Sequence, residues 1–154
     1  MENQPRFSRQ KRRAGGCSTR NGGQISSSVK PTLQQLTKRF GIERARAIRA
    51  EGDASLDWIG AFITRHGIDC HFTRCGRFHA AHTPRHFDKL VDESRRLLTE
   101  ENIPTKIVPR ADQHQEVGTD AYVGGVVYSR HASLHPAIYY AGILQVALNA
   151  GVRV

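Results

Sequence analysis

Apolar residues recur at three- and four-residue spacing through Ile42, Ala45, Ile48, Gly52, Leu56, Ile59, Phe62 or Ile63, and His66. That is the period of a helix with one stripe turned toward a core. Gly67 supplies its stop, while Gly52-Asp53 in the middle is expected to bend or interrupt it. A second stripe runs through Phe87, Leu90, Val91, Ser94, Leu97 and Leu98, after Thr83-Pro84, which reads as a helix cap followed by proline at the first helical position. The segment from Asn102 to Pro104 closes that helix. Val29-Lys30-Pro31 is expected to open a shorter helix through about Arg39, ended by Gly41. The last helix, from Pro136 to Ala150, is framed by proline at its start and Gly151 past its end.

Between the helices the pattern changes to that of strands. Residues 68–82 read as one strand, with Cys70, Phe72 and Arg74 on one face, His71, Thr73 and Cys75 on the other, and Gly76 at a bulge or a close approach. Lys106-Ile107-Val108 predicts a short strand, and residues 121–128 form a β-rich run interrupted by Gly124-Gly125. A glycine pair inside such a run implies that something lies close against the backbone. Val152-Arg153-Val154 reads as the start of a further strand. Helices and strands alternate, so the expected class is α/β to α+β.

A chain of 154 residues with 38% hydrophobic and 24% charged residues is ordinary for a soluble domain with a real core. It holds no run of about 18 apolar residues to cross a bilayer, and its basic start is not followed by an apolar signal core. Three cysteines, at 17, 70 and 75, are too few and odd in number for a disulfide scaffold, which fits a reducing cytoplasm. The net charge of +9 is placed unevenly, because Arg6, Arg9, Lys11, Arg12, Arg13 and Arg20 face only Glu2 in the first twenty residues. Residues 1–14 therefore read as a basic, disordered tail. Such an arm can neutralise phosphates, but no nucleic-acid-binding signature follows it.

The segment from Gly16 to Gln24 is almost devoid of apolar side chains. Gly22 and Gly23 let successive N–H groups converge on an anion, and Ser18, Arg20, Asn21 and Gln24 add polar groups that fix its orientation. Taken alone, the same residues also make a glycine-rich surface turn.

With this loop in place, the chain resembles the FAD-dependent oxidoreductases of the D-amino-acid-oxidase superfamily, in the branch similar to gamma-glutamylputrescine oxidase. The family carries a Gly-Ala-Ser-Gly-Arg-Asn-Gly-Gly-Gln-like loop, from which Cys17 and Thr19 depart here. The likeness continues through Gly67-Ile68-Asp69-Cys70, Thr73 to His82, Ala121 to Val126 and Leu134-His135-Pro136, covering about residues 15–154. It implies a partial Rossmann-like FAD-binding domain plus a mixed-sheet substrate domain, incomplete at both ends. Residues 15–67 would carry the flavin-facing loop and helices, 68–135 the substrate-domain strands and helix, and 136–154 a helix and strand returning to the FAD-binding domain. Ser18, Arg20, Asn21, Gly22, Gly23 and Gln24 would line the pyrophosphate-to-flavin region. The implied chemistry is hydride transfer from a small amine or amino acid to the flavin, with no residue standing out as acid or base.

None of the fourteen glycines forms a G-x-G, so the helix turn that carries the pyrophosphate in this family has no counterpart here. The expectation is an internal piece of such an enzyme, which alone does not retain FAD. The alternative is a non-catalytic binding or scaffold module that pairs with a complementary chain and carries a basic tail open to nucleic acid. Cys70, His71, Cys75, His79, His82 and His86 invite a zinc reading, but there is no C-x2-C and the expected strand turns the two cysteines to opposite faces. Tyr128, His131 and His135 remain candidates for a substrate cavity.

Overall fold

The computed structural model describes residues 16–153. The basic tail assigned to residues 1–14, and Val154, lie outside them. Along the chain come β1 (Gln24–Ser26), α1 (Leu33–Phe40), α2 (Ile42–His66), β2 (Arg77–Ala80), α3 (Pro84–Glu101), β3 (Thr105–Pro109), β4 (Gly124–Tyr128), β5 (His131–Ser133) and α4 (Pro136–Asn149).

The helix boundaries follow local chemistry. At α1 the Thr32 side chain accepts from the Gln35 N–H while the Gln35 side chain accepts from the Thr32 N–H, so two orphan donors are satisfied at once. The helix thus begins at Leu33, after Pro31 rather than around it. Gly41 joins α1 to α2, and Leu33, Leu36 and Ala45 close a small core between them, with Ile48 packed against it. The long helix α2 runs unbroken through Gly52-Asp53. Its glycine there meets Ser27 and Val29 of the segment after β1, so the missing side chain admits a neighbour instead of bending the helix.

Thr83 caps α3 by accepting from the His86 N–H at 3.2 Å, and Asn102 in the left-handed region ends it. Leu90, Ser94 and Leu97 are buried as the stripe requires, but Leu98 is 53% exposed. A turn of 3.6 residues cannot hold two adjacent positions on one narrow face.

Two antiparallel sheets result. The three-stranded sheet has the order β2-β4-β3, with Arg77 opposite Tyr128 and Thr105 opposite the same residue. On one face α3 packs through Leu90 against Ala81 and Val126, with Phe87, Val123 and Tyr128 at the margin. The second sheet is the pair β1-β5, with Gln24 opposite Ser133. A third core cluster of Ile63, Ile68 and Cys70 gathers the end of α2, Phe72, Leu134 and α4 residues Tyr139 and Val146.

Two strand expectations are corrected. Residues 68–82 do not form one strand: His71 takes a left-handed backbone, Thr73 makes an isolated bridge to Ser133, and only Arg77–Ala80 is a strand. A left-handed residue destroys the two-residue alternation on which the proposed faces depended. Residues 152 and 153 belong to no strand, because the Val152 N–H turns back to the Ala147 carbonyl at the end of α4. Among the described residues no helix is long and apolar enough to cross a membrane.

Cys70 is fully buried, and burial pushes its thiol above the ordinary range, whereas Cys17 and Cys75 are exposed. A native chain should therefore titrate two thiols rapidly with Ellman's reagent and a third only in denaturant. Three fast thiols would contradict this packing.

Candidate functional site

The glycine-rich loop is held from inside. The Asn21 side chain donates from Nδ2 to the carbonyls of Cys17 at 3.0 Å and Ser18 at 3.2 Å, and its Oδ1 accepts from the Gly23 N–H at 2.9 Å. This Asx-type turn satisfies three backbone groups with one amide. Asn21 thereby orders the loop, and its polar atoms are occupied in doing so. Gly23 is buried with φ of 66°, and its carbonyl accepts from the Leu134 N–H at 3.0 Å. A methyl group built there would fall on the Leu134 carbonyl oxygen. The loop can close on residue 134 only without a Cβ.

What the loop offers outward is different. Ser18, Arg20, Gly22 and Gln24 are exposed, and a Cβ on Gly22 would meet nothing within 4 Å. A hydroxyl, a guanidinium and open backbone therefore face solvent on a fixed frame. Beside them lies a cavity of about 380 Å³ bounded by Ser18, Asn21, Gly23, Ile59, Leu134 and Tyr139. Its far wall is the start of α4, where the His135 side chain caps the helix by accepting from the Ile138 N–H at 3.4 Å. The donors of the loop fit a phosphate group, and the apolar wall fits one edge of a flat ring.

The frame is anchored to α2 by charge. Arg130, between β4 and β5, donates to Asp53 Oδ1 at 2.9 Å, to the Asp53 carbonyl at 3.1 Å and to Asp57 Oδ2 at 3.2 Å. Arg74 pairs with the other Asp57 oxygen at 2.8 Å. Hydrogen bonds from these two guanidinium groups hold the Asp57 carboxyl below its usual range.

The histidines separate into different places. His135 sits at the α4 cap with its ring near His71, away from the pair Tyr128 and His131, whose ring centroids lie 5.9 Å apart. That pair is joined instead by His79, whose ring is 6.4 Å from Tyr128, and by Arg77 on the same face of β2. Sequence reasoning singled out no role for Arg77 and weighed His79 only as a zinc ligand, so their place beside Tyr128 and His131 was missed. The only signal for them was the strand register, which local patterning leaves open. His82 meets Tyr122 edge to face and Cys70 is enclosed in the core, while His79 and His86 lie with ring centroids 5.6 Å apart, so the six candidate zinc ligands do not converge on one point. Among the described residues no group of three or more His, Cys, Asp or Glu side chains could hold a metal.

Burial, reinforced by the charge of Arg77, lowers the pKa of both His79 and His131. Each imidazole is easier to protonate in the unfolded chain, so the stability they contribute is complete above about pH 6.5 and is lost as pH falls through the folded values. The melting temperature should accordingly fall between pH 7 and 5. A flat or rising profile over that interval would refute the neutral burial of these rings.

The chain is 27% identical over 142 residues to the probable oxidoreductase OrdL of Haemophilus influenzae, a match covering 90% of this chain and 32% of that protein. It is 25% identical over 121 residues to gamma-glutamylputrescine oxidoreductase of Escherichia coli, covering 79% of this chain and 28% of that one. The chain thus spans about a third or less of the length of these curated relatives. In fold it is similar to glycine oxidase from Geobacillus kaustophilus, with a TM-score of 0.62 at 16% identity over 89% of this chain and 36% of that structure. The L-amino acid deaminase from Proteus vulgaris gives 0.58 at 20% identity over 88% and 30%. Residues 7–154 match the FAD dependent oxidoreductase family, and with the match extending over nearly the whole chain, the protein belongs to that family.

Proposed function

We propose that Ser18 to Gln24 form the phosphate-facing part of a flavin site, and that the protein takes part in oxidising a small amine or amino acid. The observation that carries this reading is the loop itself, with Ser18, Arg20 and Gly22 turned outward while Asn21 and Gly23 fix its backbone from within. Arg20 supplies charge to a pyrophosphate oxygen, and the Gly22 backbone can approach without steric obstruction. A bound flavin supplies the acceptor for the hydride from the carbon bearing the amine. The chain's own residues place and orient it. The substrate class is supported by the names of the relatives, which include a gamma-glutamylputrescine oxidoreductase and a glycine oxidase. On the same reading, residues 15–67 carry the flavin-facing loop and helices, 68–135 the substrate-domain part, and 136–154 return to the FAD-binding domain.

The test is a titration of the 154-residue chain with FAD, followed by flavin fluorescence. Saturable quenching at high FAD concentration is expected, weakened about tenfold by Arg20→Ala, since a charge-assisted contact is worth about 1.5 kcal/mol or more. Retention through gel filtration is not expected, because the loop is one contact region without a G-x-G-x-x-G turn. Absence of saturable quenching, or equal quenching by the variant, would refute the assignment.

A further inference from the structure

A second cavity, of about 720 Å³, shares no lining residue with the one beside the loop. It opens between α2 and α3, and its floor is formed by Arg77 and His79 of β2, Tyr128 of β4 and His131 of β5. Two observations on this floor call for a ligand. The first is His131 Nδ1, which is buried and has no hydrogen-bond partner among the described residues. A buried polar atom left so costs about 1–3 kcal/mol, and a partner arriving with a ligand removes that cost.

The second observation is charge. Arg49 is paired with Glu101 at 2.7 Å, and Asp53 with Arg130 at 2.9 Å, so these four largely cancel. The rest of the charged lining is Lys30, Arg46, Arg77 and Arg96 against Glu93 and Glu100, none of them in an ion pair among the described residues. The unpaired excess is positive. A concave wall with unpaired cations raises the local concentration of anions.

We propose that this cavity binds a small organic anion, with Arg77 pairing with its acidic group and His131 Nδ1 and the Tyr128 hydroxyl hydrogen-bonding to it. Arg77 presents a forked guanidinium that suits a carboxylate or a phosphate equally. Tyr128 makes no hydrogen bond among the described residues, and its hydroxyl is kept protonated by burial, so it is a free donor. The imidazoles of His79 and His131 are kept uncharged near neutral pH and contribute hydrogen bonds rather than charge. The site shares no residue with the loop Ser18 to Gln24, although its floor lies in the segment assigned to the substrate domain, so titration without flavin tests it apart from the flavin assignment.

Calorimetric titration of the chain with succinate and, separately, inorganic phosphate tests the proposal and distinguishes the two acidic groups. Saturable binding of at least one probe is expected, weakened tenfold or more by Arg77→Gln and severalfold by Tyr128→Phe, with Lys38→Gln on the outer surface of α1 unchanged. Arg77 is exposed, so its replacement leaves the core intact. The ring nitrogen signals of His131 in long-range ¹H–¹⁵N spectra should move on addition of the probe that binds. Binding of succinate alone assigns a carboxylate and binding of phosphate alone a phosphate, and both support the site. Failure of both probes to bind saturably, equal binding by Arg77→Gln, or binding that leaves the His131 signals in place would overturn it.

Discussion

Replacing Gly23 by alanine is expected to lower the melting temperature by roughly 5–15 °C and to abolish saturable FAD quenching. Two costs combine. Alanine at φ of 66° is strained by about 1 kcal/mol relative to glycine. Its methyl group would also coincide with the Leu134 carbonyl oxygen, which is backbone and cannot rotate away. Relief requires the loop to separate from residue 134, which gives up the Leu134 N–H bond to the Gly23 carbonyl and disturbs the adjoining β1-β5 pair. Together about 2–4 kcal/mol is at stake, in the range reserved for mutations with an identifiable steric mechanism. Gly22→Ala provides the contrast, because a Cβ there meets open space and should leave the melt nearly unchanged. Equal melting of the two variants would show that the loop is not locked as described.

Gly125→Ala should destabilise the protein by about 2–3 kcal/mol for a different reason. Gly125 is buried in the central strand β4, where a Cβ would meet the Phe78 ring and the His79 carbonyl oxygen, the latter at 2.5 Å. Both neighbours belong to β2, so the variant pushes apart the pair that sets the floor of the larger cavity. Phe78→Leu added to Gly125→Ala removes the ring contact but not the backbone one, and should restore only part of the loss. Chemical denaturation of the single and double variants measures both terms. A Gly125→Ala protein as stable as the parent would show that β2 and β4 are not packed at this distance.

Much of the framework could be read from short stretches of sequence, and each case has a local cause. Thr83-Pro84, Gly41 and Gly67 mark helix ends because a cap involves only residues within one turn. The stripe from Ile42 to His66 predicted a helix, and α2 occupies the same residues. The Gly124-Gly125 pair announced a close neighbour, which is supplied by the side chains of Phe87 and Phe78. The exposed loop was legible for the same reason: its composition leaves little to bury and much to bond. Its motif also carried the family resemblance.

The failures share the opposite cause. The segment 68–76 alternates like a strand, yet the left-handed turn at His71 and the bridge from Thr73 to Ser133 are decided by residues about sixty positions away. Gly52 bends helices in isolation, but here the approach of Ser27 and Val29 uses the space it leaves. That the Asn21 amide turns inward onto three backbone partners is likewise a property of the folded loop, which composition alone leaves open. Tyr128 and His131 were visible as candidates, but their junction with Arg77 and His79 exists only because β2 pairs with β4 in one register. The sequence by itself determined the helix ends, the stripes and the outward chemistry of the loop, since these depend on neighbours within a turn or two. Only the tertiary structure decided which distant side chains share a cavity and which polar atoms remain unpaired. Strand register and desolvation are properties of the assembled chain, and no local pattern encodes them.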